Sequence, residues 1–152
     1  MIRLSRSIAL AAPADQVWQE LLGFGDLALW HPAVDTCRAA GGLHVSVGAT
    51  RHVTTRDGLS MDEELAAASV RDHRLEILTR TAPFPVSLMW QALTVFGVST
   101  TGGAVLRWEM RADGPPDWAG RMRDWFGDGY IPAGLNGLAG HLAATNNTPI
   151  NN

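Results

Sequence analysis

The stretch RHVTTRDGLSMDEEL, residues 51–65, contains two runs of alternating side chains that meet at an Asp-Gly turn. In the second run, Met61 and Leu65 share one face of an extended strand, because successive side chains of a strand point to opposite sides. Glu63 falls on the same apolar face. The stretch therefore predicts a β-hairpin with a carboxyl group on its inner side.

Two pairings of this hairpin are open, and they place different residues opposite Glu63. A two-residue turn puts His52 there, whereas a three-residue turn with Gly58 in the left-handed conformation puts Arg51 there. We favour the second pairing, because it brings Val53 onto the inner side and makes that face more uniformly apolar.

Alternation with a period of two continues on both sides of the hairpin. It predicts strands over residues 3–11, 34–40, 44–54, 59–67, 73–81, 87–96 and 103–112. Short turn sequences rich in glycine, proline and aspartate separate the strands from residue 34 onward, which is typical of an antiparallel meander.

Helical spacing occurs in three places. One helix begins at Pro13 and ends at Gly23, a second covers residues 24–30 before Pro32, and a long one spans residues 117–142. A single long amphipathic helix cannot bury its own apolar stripe. We therefore expect it to lie across the concave face of the sheet.

This order of elements predicts one α+β domain over residues 1–144. Its curved antiparallel sheet has seven strands and wraps around the long C-terminal helix, with two short helices between strands 1 and 2. Residues 145–152 show no periodicity, and we expect them to form a disordered tail.

Composition excludes several classes of function. All 12 basic residues are arginine and the net charge is -3, which excludes a Schiff-base lysine and disfavours a nucleic-acid surface. Cys37 is the only cysteine, so neither an intramolecular disulfide nor a thiolate metal cluster is expected. We also expect a cytoplasmic protein, because we find no signal peptide. We expect no stable membrane insertion, and a homodimer is compatible with the sequence.

The chain also carries an ordered series of short motifs. They are Ile8…Ala12-Pro13, Val17-Trp18, Trp30-His31-Pro32, Val47-Gly48…Arg51, Gly58…Glu63-Glu64-Leu65, Val105…Trp108 and Gly129-Tyr130…Gly134-Leu135. In this order they resemble the START-like, helix-grip superfamily (SRPBCC), and within it the polyketide cyclase/dehydrase and lipid-transport family. The resemblance covers about residues 5–143 and implies a helix-grip fold with a deep cavity for a hydrophobic small molecule.

Arg51 and Glu63 are the sharpest candidates for chemistry. Two interpretations of this pair stand side by side. In one, the pair is a buried ion pair that fixes the register of the sheet. In the other, Arg51 polarises a substrate carbonyl while Glu63 moves a proton.

The expected ligand-binding residues lie on the inner faces of the strands and of the long helix. They are Asp35, Val53, Met61, Leu65, Ile77, Trp90, Ala92, Trp108, Met110, Phe126 and Gly134. Core packing explains such stripes more often than ligand binding does, and in a helix-grip cavity both apply. A tryptophan wall offers a broad apolar surface and one N–H donor.

Two further residues are candidates for proton transfer. Tyr130 is the only tyrosine and is either an acid or hydrogen-bond donor, or a core side chain bonded to a carbonyl. His31 is a candidate general base at neutral pH, although we favour a structural role for it. The histidines show no metal-ligand spacing, so we predict no metal and no cofactor.

These residues predict a cofactor-independent small-molecule enzyme of the polyketide cyclase/dehydratase type. It would bind a hydrophobic, polyketide-like substrate in the internal cavity and promote cyclisation or dehydration by acid/base chemistry. Arg51, Glu63, His31 and Tyr130 would supply that chemistry. The alternative is a non-catalytic carrier or sensor of a lipid or another hydrophobic metabolite.

Overall fold

The computed structural model describes residues 1–40 and 45–147, and seven strands of this part form one antiparallel sheet. The strands are β1 (Ile2–Leu10), β2 (Val34–Ala40), β3 (Thr50–Thr55), β4 (Ser60–Ser69), β5 (Arg74–Thr81), β6 (Leu88–Val98) and β7 (Gly103–Asp113). Their order in the sheet is β1-β7-β6-β5-β4-β3-β2. The sheet is therefore a meander from β2 to β7, with β1 added beside the last strand.

The helices lie between β1 and β2 and after β7. The first two are α1 (Ala14–Leu22) and α2 (Leu27–Trp30). The C-terminal helix has four successive parts: a 3-10 turn (Pro116–Trp118), α3 (Ala119–Met122), a π-helical segment (Arg123–Tyr130) and α4 (Ile131–Asn146). None of the described helices is long and apolar enough to cross a membrane.

The helix-grip fold class is confirmed, and the boundaries differ in a few places. β3 begins at Thr50 rather than at residue 44, and residues 41–44 lie outside the described part of the chain. α2 begins at Leu27, because Phe24 lies in a tight turn after α1. α4 continues to Asn146, past the predicted end, and residues 148–152 lie outside the described part.

The hairpin between β3 and β4 adopts the favoured register. Arg51 pairs with Glu63, and the N–H of Thr55 donates to the carbonyl of Leu59 over 2.8 Å, which encloses a three-residue turn. Gly58 has a φ of 87°, the left-handed conformation that glycine adopts without steric cost.

The C-terminal helix packs closely against α2 and the inner face of the sheet. A Cβ atom at Gly134 would lie 2.6 Å from His31 Nε2 and 2.7 Å from Trp108 Cζ3. At Gly137 the Cβ would overlap the carbonyl oxygen of Trp30. Glycines within a helix leave volume into which a ligand or another part of the chain can approach. At these two positions they make room for the protein itself.

Substitution of Gly137 by alanine should destabilise the fold, whereas Gly140→Ala should stabilise it. At Gly137 the added methyl group meets rigid backbone and costs about 1–3 kcal/mol. Nothing lies within 4 Å of a Cβ at Gly140, so the higher helix propensity of alanine adds about 0.5–1 kcal/mol. The free energy of unfolding in urea measures both changes, and equal effects at the two positions would contradict this packing.

Candidate functional site

A buried polar network lies at the centre of the inner sheet face. Arg51 Nε donates to Glu63 Oε1 over 3.0 Å, and both side chains are almost fully buried. Gln91 Nε2 donates to Glu63 Oε2 over 2.6 Å, and Trp108 Nε1 donates to Gln91 Oε1 over 3.0 Å. Both oxygens of the Glu63 carboxylate thus have donors, which offsets the cost of removing this charge from water.

Arg51 also ties the sheet to the turn between α1 and α2. Its Nη1 donates to the carbonyl of Phe24 over 3.0 Å, and its guanidinium lies 4.2 Å from the centroid of the Phe24 ring. Charge-assisted hydrogen bonds and a cation over an aromatic face both stabilise a guanidinium in a dry site. Arg51 would have to give up contacts of this kind to polarise a substrate carbonyl.

Seven of the predicted wall residues fill the interior of the described part of the chain instead of enclosing a large cavity. Ile77 and Trp108 are 1% exposed, and five others are 0% exposed: Val53, Met61, Leu65, Met110 and Phe126. An interior cavity beside Trp30 and Arg51 has a volume of about 10 Å³, room for one water molecule at most. The structure therefore differs from the deep cavity that the family resemblance implies.

Strand β6 faces the core with the side opposite to the predicted one. We expected Trp90 and Ala92 on the inner face, but the structure places them on the outer face, where Trp90 pairs with Arg111. The guanidinium groups of Arg74 and Arg111 lie 5.5 and 4.0 Å from the centroid of the Trp90 ring. The prediction was wrong because β6 is apolar on both faces, and the buried hydrogen bonds of Gln91 decide which face turns inward.

His31 lies beneath the C-terminal helix and is 1% exposed. Its Nδ1 accepts from the Ala33 N–H over 3.2 Å, and its ring centroid lies 4.2 Å from that of Tyr130. Nε2 has no hydrogen-bond partner among the described residues. Burial lowers the pKa of His31 to about 4; the charge of Arg51 acts in the same direction, and the carbonyl of Tyr130 opposes it. His31 is therefore neutral at pH 7.

Tyr130 connects this interior to the surface. The side chain is 3% exposed, and its ring stacks on that of Trp125 with centroids 5.0 Å apart and 13° between the planes. Burial raises the pKa of Tyr130 well above its ordinary value, and the charge of Glu63 acts in the same direction. The hydroxyl therefore stays protonated at physiological pH and is a hydrogen-bond donor.

A pocket of about 690 Å³ opens to solvent beside this aromatic stack. It lies between the π-helical segment and the β3–β4 turn, and its walls are Ala33, Arg56, Asp57, Arg121, Asp124, Trp125, Gly129 and Tyr130. Of these, only Tyr130 was among the predicted site residues. Its volume is typical of a pocket for a small organic molecule.

Asp57 fixes the position of Trp125 in the wall of this pocket. Trp125 Nε1 donates to Asp57 Oδ2 over 2.8 Å, and the Thr55 hydroxyl donates to the same side chain. These two hydrogen bonds lower the pKa of Asp57, and the bond from Thr55 has the larger effect. The ionised carboxylate thus joins the β3–β4 turn to the π-helical segment.

The other predicted residues lie apart from the pocket. Asp35 is exposed, and its carboxylate lies 3.8 Å from the guanidinium of Arg56 at the pocket rim. Gly134 is buried against His31 and Trp108. Within residues 1–40 and 45–147, no cluster of three or more histidine, cysteine, aspartate or glutamate side chains is arranged to hold a metal ion.

The family model described as polyketide cyclase / dehydrase and lipid transport matches residues 1–143. The chain belongs to this family. The match confirms the resemblance that the ordered motifs indicated, and it covers nearly the whole chain. No curated protein matches the sequence.

Solved structures share the fold of this family member at low sequence identity. The protein XoxI from Bacillus cereus is 21% identical with a TM-score of 0.83, over 97% of this chain and 100% of that one. A protein from Thermobifida fusca is 27% identical with a TM-score of 0.82 over 100% of both chains. Norcoclaurine synthase from Thalictrum flavum, solved with dopamine and hydroxybenzaldehyde, is 13% identical with a TM-score of 0.77, over 98% of this chain and 89% of that one.

The other pocket residues could not be identified from the sequence, for physical reasons that the structure shows. Asp57 was interpreted only as part of a turn. Trp125 carries no sequence signal of a pocket wall, because five residues separate it from Tyr130 and such a pair diverges on an α-helix. Five residues is the hydrogen-bond spacing of a π-helix. Pro132, just after Tyr130, was the available signal that the α-helical spacing fails here.

Acidification should destabilise the protein through His31. Its pKa falls from an ordinary 6.5 to about 4 on folding, so the unfolded chain binds more protons between these values. This contribution to stability is fully present above pH 6.5. It is lost as the pH falls toward 4, by up to about 3 kcal/mol. Urea unfolding between pH 7 and pH 4.5 should show this fall, and a shallower one in His31→Asn, which keeps an acceptor for the Ala33 N–H.

The matched control is Leu27→Ala, which removes buried apolar volume and no titratable group. It should lower the free energy of unfolding at every pH without changing the slope against pH. If His31→Asn and the wild-type protein show the same slope, the burial of a neutral His31 is not the cause.

Proposed function

We propose that this protein is a cofactor-independent enzyme of the polyketide cyclase/dehydratase type whose hydrophobic, polyketide-like substrate binds in the open pocket. The observation that carries the proposal is the Trp125–Tyr130 stack, in which Tyr130, held in its neutral form, is part of the wall of a pocket of about 690 Å³. In this proposal the substrate does not bind in the interior, because the cavity beside Trp30 and Arg51 has a volume of only about 10 Å³.

The pocket offers a planar substrate both an apolar surface and hydrogen-bonding groups. The stacked rings of Trp125 and Tyr130 form an aromatic wall, on which a flat ring system packs with little loss of side-chain entropy. Arg56 and Arg121 lie at the same pocket with Asp57 and Asp124, so its formal charge is balanced. This balance suits a neutral, polyoxygenated molecule better than a strongly charged one.

The chemistry we assign to the pocket uses one donor and one acceptor. Tyr130 donates a hydrogen bond to a substrate carbonyl and stabilises the negative charge that develops there during enolisation. Asp57 already accepts from Thr55 and Trp125, whereas Asp124 has no ion-pair or hydrogen-bond partner for its carboxylate in the described part of the chain. Asp124 is therefore the base assigned to the proton beside that carbonyl.

Arg51, Glu63 and His31 take supporting roles in this proposal. None of them lines the open pocket. The charge of Arg51 helps to keep His31 neutral. The charge of Glu63 helps to keep Tyr130 protonated.

The first experiment separates binding in the pocket from binding elsewhere. The probe is 1,8-dihydroxyanthraquinone, a flat, polyoxygenated molecule, and the measurement is its dissociation constant by calorimetry. Trp125→Ala should weaken binding about tenfold or more, because it removes the larger part of the aromatic wall. Trp90→Ala is the matched control, since this tryptophan lies on the outer face of the sheet. Equal effects of the two substitutions would place the site elsewhere.

Turnover distinguishes an enzyme from a carrier. With a linear tetraketide as substrate, Tyr130→Phe should lower kcat about 10²–10³-fold while the dissociation constant of the anthraquinone stays nearly constant. The phenylalanine retains the ring stack and lacks only the hydroxyl. If the wild-type protein binds the tetraketide tightly and the tetraketide is recovered chemically unchanged, the result would contradict an enzymatic function and support that of a carrier.

A further inference from the structure

An arginine stands where the inner face of the edge strand β1 is otherwise apolar. Its inward positions are Ile2, Leu4, Arg6, Ile8 and Leu10, and Arg6 pairs with the buried Trp108 of β7. The Arg6 side chain keeps 40% of its solvent exposure, and its inward position brings the guanidinium to the C-terminal helix. The partner of Arg6 lies in the C-terminal helix.

Arg6 binds the backbone of the π-helical segment. Its Nε donates to the carbonyl oxygen of Gly127 over 3.0 Å, across 121 positions of sequence, and its Nη2 lies 3.8 Å from the Asp128 carboxylate. The guanidinium also approaches the Gly127 backbone closely, because a Cβ there would lie 3.0 Å from Arg6 Nη2.

The carbonyl of Gly127 needs such a donor because its helical partners are missing. In an α-helix its donor would be the N–H of Ile131, but that group donates to Phe126 in the π-helical pattern. In a π-helix its donor would be residue 132, which is a proline and has no N–H. An unpaired backbone carbonyl in a partly buried place destabilises the conformation that contains it.

We propose that Arg6 caps the carbonyl that Pro132 leaves without a donor, and thereby holds the π-helical register that stacks Trp125 on Tyr130 in the pocket wall. Arg6 is a positioning residue: it does not line the pocket, and it acts through the backbone between the two aromatic residues. The inference concerns the wall itself and does not depend on the ligand or the chemistry assigned to the pocket.

The test compares Arg6→Met, which keeps the unbranched stem of the side chain without a donor, with Arg6→Lys, which keeps a cationic donor. The readout is the NMR signal of the Trp125 indole N–H, which donates to Asp57 in the native structure. Arg6→Met should shift this signal toward that of a solvent-exposed indole and weaken binding of 1,8-dihydroxyanthraquinone about tenfold, whereas Arg6→Lys should retain most of both. Arg3→Met, an exposed arginine of the same strand, should change neither.

Pro132→Ala supplies the decisive background, because it restores an N–H at position 132. In this background the further substitution Arg6→Met should leave the Trp125 signal unchanged. If Arg6→Met alone does not fold but the double variant does, the proposal is supported, since the restored N–H replaces the arginine. An unchanged Trp125 signal in Arg6→Met, or equal damage with and without Pro132, overturns it. Failure of both Arg6 variants to fold also overturns it.

If the indole signal shifts as expected and the anthraquinone binds to no variant, the function proposed for the pocket fails while the role of Arg6 stands.

Discussion

The ion pair between Arg51 and Glu63 is the constraint on which the rest of the interior depends. Glu63 also accepts from Gln91, which in turn accepts from Trp108, so one carboxylate connects four strands of the sheet. Arg51 extends the network to Phe24 and so fixes the turn between the two short helices. A buried charge is tolerated only where every strong donor and acceptor around it has a partner. This requirement specifies one register of the sheet and one packing of the interior.

Much of the fold could be predicted from the sequence, because local rules and burial agree there. The period of two placed the strands, and the left-handed Gly58 together with an apolar inner face gave the correct pairing of Arg51 with Glu63. The phase of β6 could not be obtained in this way, since both of its faces carry apolar side chains. The buried amide of Gln91 determines this phase, because it joins the carboxylate of Glu63 to the indole of Trp108. Hydrogen bonds of this kind between separate strands leave no periodic signal in the sequence.

The candidate site was less predictable, because it depends on a local departure from α-helical geometry. Tyr130 was identified by its chemistry, but its neighbour Trp125 was not, since the wall exists only where the helix widens to a π-helical pattern. The cause is again non-local: Pro132 removes a donor from the helix, and Arg6, from the first strand, supplies one. The glycines of the C-terminal helix leave space, and at Gly134 buried rings of the protein occupy it.

The interior of this family member is filled, and we propose that a small molecule binds in the open pocket at Trp125 and Tyr130. The chain has 6 tryptophans, and their indole N–H groups give separate signals in a ¹⁵N–¹H correlation spectrum. The most direct measurement is a titration of the protein with 1,8-dihydroxyanthraquinone followed in that spectrum. We expect the Trp125 signal to move with ligand concentration while that of Trp108, in the core, stays in place. Movement of the Trp108 signal with an unchanged Trp125 signal would contradict it and place the ligand between the sheet and the helix.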